Sequence, residues 1–296
     1  MTAKEPKTVA IMVPCHAIWK GTSDPNLGSF GQSPDNWFLA PFQYEGRDHL
    51  SFIKHALTGV SLLLDDIKNS TLIFSGSQTK EEAGPVSEAE SYQKLVERIL
   101  GMAVKDFSLF EEAYKDVDQQ IIELVQSILN KLNVIGITLE ELFEDPNITL
   151  EEYALDSFDN LLYSLGQFYK INGVYPYRMV IVGFGFKKAR YINLHARAID
   201  YRNINYVSIE PSPENYSETK LNEYFDTLST LENKNAYALF LNDFYGHRSP
   251  LADKKQQRNP YKKSPDYEVL NLLKNLNDYD DDEKFRKEQI MGNTPW

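Results

Sequence analysis

A chain of 296 residues, 42% of them hydrophobic, can bury a sizeable core and is too apolar to be globally disordered. Its net charge of −12 argues against nucleic acid as a partner, because phosphate binding relies on clustered Lys and Arg. The single cysteine, Cys15, excludes an intramolecular disulfide and a cysteine-based zinc cluster, and it fits a reducing compartment. No window reaches the roughly 20 apolar residues of a membrane-spanning helix, so we expect a cytoplasmic protein with no membrane partner.

Short apolar runs predict strands buried on both faces, and apolar residues at helical spacing predict the helices between them. The chain is predicted to begin with a strand at 8–13, a long ordered loop at 20–46, a helix at 48–67 and a strand at 71–75. Helices at 88–100 and 116–132 follow, then a loop or short helix at 133–147 and a helix at 156–169. The last predicted elements are a strand at 178–182, a helix that ends near residue 200 and a strand at 204–209. This alternation predicts a three-layer, Rossmann-like α/β domain with a mostly parallel sheet.

The predicted α/β domain covers residues 1–210. Residues 211–296 predict a helical and irregular C-terminal extension packed on the same domain, with a loop at 243–265. The acidic block at 278–283 is typical of a solvated surface. Two segments of the extension, 243–248 and 258–261, carry aromatic and basic residues and could fold back over a site as a lid.

Parallel sheets bind ligands beyond the carboxyl ends of their strands, so the residues after each predicted strand are candidates for a site. After the first strand, His16 is a candidate ligand contact, while Cys15 is better explained as a small buried hydrophobe than as a nucleophile. After the second strand, Ser75, Gly76 and Ser77 offer hydroxyls and accessible amides that could cradle an anion. An ordinary strand-to-loop turn is the alternative explanation.

Two helix starts supply further polar candidates. Ser87 is predicted to cap the helix that begins at Glu88, and capping also explains an acidic residue in that first turn. Asp156, Ser157 and Asn160 concentrate polar groups at the start of another helix, where a capping motif competes with a ligand-binding wall. We take Glu88 and Asp156 as the candidate catalytic carboxylates.

The stretch after the third strand carries the strongest local signal. Gly183 and Gly185 end the strand and open a helix, and Lys187 and Arg190 follow one turn apart. Helix amides together with two basic side chains suit a phosphate or carboxylate, whereas the alternative is a helix whose basic residues face solvent. The motif lacks the third glycine of the dinucleotide-binding fingerprint.

Several familiar chemistries have no signature in the chain: a Walker-type phosphate loop, a paired-histidine zinc motif and a nucleophile elbow. We therefore expect no metal.

The chain resembles the YdcF/SanA-like family, a domain of unknown function, in its fungal branch. The resemblance covers roughly residues 8–210 and rests on the segments 13–20, 74–79, 84–89, 151–160 and 186–190. Two departures stand out: Ser77 replaces the second glycine of a Ser-Gly-Gly pattern, and Lys187 replaces a histidine, which puts any histidine-dependent acid–base role in doubt. The resemblance implies a Rossmann-like fold with these segments around one pocket. It implies no established activity, and it leaves the cofactor unknown, with S-adenosylmethionine or another nucleotide-like ligand as candidates.

Three functions remain open from the sequence. The first is an enzyme that acts on an anionic, nucleotide-like small molecule at the carboxyl edge of the sheet. The second is a non-catalytic binding or regulatory protein that uses the same pocket. The third is an S-adenosylmethionine-binding, methyltransferase-like protein, against which the chain lacks a glycine-rich loop after the first strand.

Overall fold

The computed structural model describes residues 6–23, 29–144 and 146–296. Its strands are β1 (Val9–Pro14), β2 (Ile18–Trp19), β3 (Trp37–Phe38), β4 (Ser70–Ser75), β5 (Ile148–Glu151), β6 (Arg178–Gly183) and β7 (Ile204–Ser208). Its α-helices are α1 (Asp48–Asp65), α2 (Glu88–Lys105), α3 (Phe107–Tyr114), α4 (Gln119–Ile135), α5 (Leu139–Leu142), α6 (Ser157–Asn172), α7 (Ala196–Ala198), α8 (Glu218–Glu232), α9 (Ala238–Asn242), α10 (Leu251–Gln257) and α11 (Asp282–Phe285).

Five strands form the central sheet in the order β5-β4-β1-β6-β7, and every neighbouring pair is parallel. The chain first builds outward from β1 through β4 to β5, and it then returns to the other side of β1 with β6 and β7. The direction of winding therefore reverses between β1 and β6, which makes their carboxyl ends the switch point where such sheets bind ligands. The predicted parallel α/β fold is confirmed.

Each face of the sheet packs against its own apolar core. Ile11 and Val13 of β1 pack with α1, α2 and α4, while Ala10 and Met12 point to the other face and pack with α6. Because successive side chains of a strand point to opposite faces, a strand covered on both sides must be apolar throughout. This explains why β1 appears in the sequence as an unbroken apolar run.

The second core also includes the C-terminal extension. Phe240, Tyr267, Val269 and Phe285 are buried together with α6 and β6 side chains. The prediction that the acidic block at 278–283 is a solvated surface is wrong for Asp282, which is 5% exposed. Its carboxylate accepts hydrogen bonds from the Phe244 amide and from Arg248, so it fastens the extension together.

Other predictions need correction in detail. The predicted loop at 20–46 contains β3, which pairs antiparallel with β2 just before the loop, and residues 24–28 of the loop lie outside the described residues. The segment 133–147 holds the end of α4 and the short helix α5, and residue 145 lies outside the described residues. Directly after this segment comes β5, a strand that the sequence did not predict. The predicted loop at 243–265 contains α10. The predicted helix after β6 is a 3-10 turn (Gly185–Lys187), a π-helix (Arg190–His195) and the short α7.

Candidate functional site

The switch point brings together residues from two separate loops. His16 follows β1, and Phe184 and Lys187 follow β6. The His16 ring stacks on the Phe184 ring with centroids 5.6 Å apart. The Lys187 Nζ lies 3.4 Å from Nε2 and 3.5 Å from Nδ1 of His16. Two residues that the sequence proposed independently as ligand contacts are therefore neighbours.

Lys187 has an unusual environment for a lysine. Its Nζ lies 5.3 Å from the centre of the Phe184 ring and 5.8 Å from that of Phe186. Within residues 6–23, 29–144 and 146–296, no carboxylate oxygen lies within 4.0 Å of this Nζ. Burial, and next to it the positive charge of Arg190, lower the pKa of the Lys187 amine to about 8. Its charge is thus not balanced by an ion pair.

The other half of the predicted anion cradle is already occupied from within the chain. The Glu210 carboxylate lies against the Gly185 backbone, and the amides of Gly185 and Phe186 act against the rise in its pKa that burial causes. A Cβ on Gly185 would lie 1.8 Å from Glu210 Oε1, so only glycine permits this approach. The Nε of Arg190 lies 3.2 Å from Glu232 Oε1, with both side chains nearly buried. Lys187 is therefore the predicted basic contact that stays available to a ligand.

The loop after β4 is tied into a buried hydrogen-bond network. Ser75 Oγ donates to Glu151 Oε2 at 2.6 Å, and the Asn160 amide donates to Ser75 O and Oγ at 3.1 and 2.9 Å. Burial raises the pKa of Glu151 to about 8, despite the hydrogen bonds that it accepts. Ser75 is fully buried, and Asn160 is 7% exposed. These contacts give Ser75 and Asn160 a structural role in joining β4, β5 and α6.

Gly76 and Ser77 continue this loop toward α2. A Cβ on Gly76 would lie 2.8 Å from Glu88 Oε2 and 3.1 Å from the Cβ of Cys15, so glycine allows these three residues to meet. The Ser77 hydroxyl donates to the side chain of Gln78 at 3.1 Å and is buried. On the other flank of the switch point, Gly183 packs between Pro14 and the Tyr206 hydroxyl.

Glu88 is the candidate catalytic carboxylate closest to Cys15 and hence to the end of β1. Ser87 caps α2 as predicted, because its Oγ accepts from the Glu90 amide at 2.8 Å. The Glu88 carboxylate is therefore not needed for capping, and it instead accepts a hydrogen bond from the Thr79 hydroxyl. Burial raises the pKa of Glu88, while the Thr79 hydroxyl and the charge of Arg258 act in the opposite direction.

Asp156, the other candidate, is balanced by a lysine from the extension. Its Oδ1 caps α6 by accepting from the Asp159 amide at 2.9 Å. The Lys255 Nζ lies 3.1 Å from Asp156 Oδ2 and 2.7 Å from Asp159 Oδ1. Both carboxylates are nearly buried, so this triad fixes the extension to the start of α6.

Ser157 forms a second buried contact at the start of α6. Its Oγ lies 2.7 Å from Nε2 of His195, while Nδ1 of His195 has no hydrogen-bond partner among the described residues. Phe158, Tyr191 and Phe240 surround the imidazole, and its burial lowers the pKa well below the ordinary value. An imidazole that cannot hold a second proton is a poor general base, so the contact is better explained by packing than by nucleophilic catalysis.

The extension crosses the edge of the sheet near these residues. Arg258 donates to the carbonyl of Leu155 at 3.0 Å, and the Tyr261 hydroxyl lies 3.5 Å from the carbonyl of Glu81. Arg258 is close enough to lower the pKa of both His16 and Lys187. The segment that the sequence suggested as a lid therefore bridges the loops after β4 and β5.

One cluster has the composition of a metal site. Asp243, His247 and Asp282 bring ligand atoms within 4.8 Å of one another. The two carboxylates already accept hydrogen bonds from Arg248 and from backbone amides. These contacts explain the cluster as a structural link within the C-terminal extension.

Glu151 and Arg258 lie in segments that the sequence had singled out, 151–160 and 258–261, and His195 was expected to be a packed or capping residue. Three partners of the predicted site were not identified from the sequence: Glu210, Glu232 and Lys255. These three are brought to the site by tertiary folding over long sequence separations.

These features define a parallel α/β protein with a charged, partly buried candidate site at its topological switch point. The chain is 42% identical, over 299 aligned residues, to the uncharacterized protein YOR238W of Saccharomyces cerevisiae, with 98% of this chain and 97% of the yeast protein covered. It belongs to the family of that yeast protein. No family model and no solved structure matches the chain. Among the described residues, no helix combines the length and apolar character needed to cross a membrane.

Proposed function

We propose that the protein binds a small anionic molecule at the switch point between β1 and β6, with Lys187 as its counter-charge. The observation that carries the proposal is the Lys187 Nζ, which lies beside His16 without a carboxylate within ion-pair distance in the described part of the chain. A partly buried cation without a counter-ion is unfavourable, and a bound anion would relieve this cost.

The same geometry narrows the possible chemistry. Glu88 favours an enzyme, because it is a buried carboxylate with a raised pKa near the end of β1, as a general base requires. Asp156 favours the non-catalytic alternative, because Lys255 already neutralises it. A nucleotide-like ligand such as S-adenosylmethionine stays within the proposal, since its carboxylate could meet Lys187. We also propose that the protein is related to the YdcF/SanA-like family and that it is cytoplasmic. The unpaired, buried Cys15 supports the cytoplasmic location.

Thermal shift with a panel of anions tests the proposal. The anions are phosphate, oxalate, sugar phosphates and adenosine monophosphate, and S-adenosylmethionine is added as a ligand that is cationic overall but carries a carboxylate. A ligand that binds the folded state raises the melting temperature. Calorimetry on the best ligand then compares Lys187→Ala with Lys188→Ala, a matched control because Lys188 is the exposed neighbour. Loss of a charge-assisted contact worth about 1.5–3 kcal/mol should weaken binding about 10- to 150-fold in the first variant only.

Two outcomes would overturn the proposal. One is that no member of the panel stabilises the protein. The other is that the affinity of Lys187→Ala equals that of the wild type. If a ligand binds and the wild type does not turn it over, the non-catalytic alternative is correct. Turnover that Glu88→Gln leaves unchanged would show that Glu88 is not the base.

A further inference from the structure

The lysine at the switch point differs from Lys54 and Lys255, whose amines form ion pairs inside the fold. Lys54 lies 2.9 Å from Asp118, and Lys255 lies 2.7 Å from Asp159. Such ion pairs hold the proton on the amine and remove its nucleophilicity. Lys187 instead contacts two aromatic faces and an imidazole.

We propose that Lys187 is a nucleophile that forms an imine with a small carbonyl compound carrying a negative group, of the 2-oxo acid class. This rests on the proposed function, because the switch point must hold the negative group, here beside Arg258, whose charge acts on Lys187, while the amine meets the carbonyl carbon. An amine beside a second cationic group in a desolvated site is the environment that activates lysine for this reaction.

The charges around Lys187 support a free amine. Arg190 and Arg258 lower its pKa, while Glu232 and Asp48 act in the opposite direction from beyond ion-pair distance. With burial they leave its pKa at about 8, so the fraction of unprotonated amine near neutral pH is well above that of an ordinary lysine. The residue is neither exposed nor fully buried, so part of its side chain is in contact with solvent.

His16 is placed to move the protons. The Nζ lone pair forms a bond to the carbonyl carbon, and the C=O π electrons become an oxyanion that takes one of the two Nζ protons. The imidazole relays the second Nζ proton while staying neutral: one ring nitrogen accepts it as the other ring nitrogen gives its own proton to the hydroxyl, which departs as water while the C=N bond forms. The balance is one carbonyl and one amine giving one imine and one water. Burial first, and then the charge of Lys187, keep the His16 imidazole neutral by lowering its pKa well below the usual value.

Borohydride trapping with the full chain tests the inference. Glyoxylate, as an anionic carbonyl probe, and cyanoborohydride are added at pH 7, and the reduced adducts are located by peptide mass spectrometry. We expect Lys187 to be modified at least about 10 times faster than Lys188, because free-amine content governs the rate. Lys187→Arg should remove this fast adduct while Lys188→Arg keeps it. His16→Asn should slow the reaction at Lys187, and acetaldehyde, which lacks the negative group, should react there more slowly than glyoxylate.

The controls separate this inference from the proposed function. Oxalate carries the same kind of negative group without an electrophilic carbonyl. If oxalate raises the melting temperature while glyoxylate modifies Lys187 no faster than Lys188, the imine is refuted and anion binding stands. If neither anion binds and Lys187 shows no selective adduct, both are refuted.

Discussion

The carboxyl edge of the sheet has two charged regions that differ in how their charges are balanced. In the region at the start of α6, Lys255 lies within 3.1 Å of both Asp156 and Asp159. In the region after β6, Lys187 lies beside His16 with aromatic rings as its remaining neighbours. In the first region every one of these charged side chains has an ion-pair partner, whereas in the second region the lysine has none among the described residues.

The comparison separates structural charges from available ones. A buried ion pair has little left to offer a ligand, because its donors and acceptors are used and breaking it costs several kcal/mol. An unbalanced cation gains from any anion that reaches it. The amides of Gly185 and Phe186 and the Arg190 side chain belong with the balanced group, since the Glu210 carboxylate lies against these amides and Glu232 forms an ion pair with Arg190. Fewer residues are therefore available to bind a ligand than the polar composition of the site suggests, and Lys187 is the central one.

The largest expected effect is in the balanced region. Lys255→Met should destabilise the protein by about 3–5 kcal/mol at pH 7, because two nearly buried carboxylates lose their counter-charge. Burial and Asp156 already raise the pKa of Asp159, and loss of Lys255 should raise it further. A carboxyl with a raised folded-state pKa costs stability above that pKa, so the deficit should shrink as the pH falls from 7 to 5. Urea unfolding at both pH values measures this.

The neighbouring lysine is the control for this experiment. Lys254 donates to the carbonyl of Asn235 on the surface of the extension, so Lys254→Met should change stability by less than about 1 kcal/mol. Equal losses in the two variants would show that Lys255 is not an essential counter-charge. The Asp159→Asn change in the Lys255→Met background should restore part of the lost stability.

An intermediate effect is expected where the backbone amides meet Glu210. Gly185→Ala should destabilise the protein by about 1–3 kcal/mol, because the new methyl would lie 1.8 Å from Glu210 Oε1 and must displace the carboxylate. Gly101→Ala is the matched control, since a Cβ there meets nothing within 4 Å inside α2. That control should be neutral or slightly stabilising, by up to about 1 kcal/mol. Similar melting temperatures for the two variants would contradict the tight contact at Gly185.

Local patterns were enough to predict much of the fold. The apolar runs of β1, β4 and β6 are visible because these strands are covered on both faces. The cap of α2 at Ser87 is visible because capping depends on residues three positions apart. The edge strand β5 was missed because its four residues alternate between apolar and polar and pair with β4 alone.

The site was predictable only in part, and for a physical reason. His16 and Lys187 follow strands, so the topology of a parallel sheet brings them together. Glu210 is distant in sequence from the Gly185 and Phe186 amides that it meets, and Glu232 is distant from Arg190, with which it forms an ion pair. No local sequence pattern indicates either contact. Whether a basic residue is balanced is a tertiary property. In this protein, the presence or absence of an ion-pair partner determines which of the predicted basic residues can bind a ligand.

The smallest expected effect is also the one that bears most directly on the unbalanced region. Lys187→Met should raise stability by about 1 kcal/mol at pH 7, a value reduced for the partial exposure of the side chain. The folded-state pKa of about 8 lies below the ordinary lysine value of 10.5, so between these limits the unfolded chain binds more protons. Wild-type stability should therefore rise with pH from 8 to 10.5, and the advantage of Lys187→Met should vanish over the same range. Urea unfolding across this range measures both. A loss of stability in Lys187→Met at pH 7 would mean that a partner within the chain already balances the amine, and the contrast between the two regions would disappear.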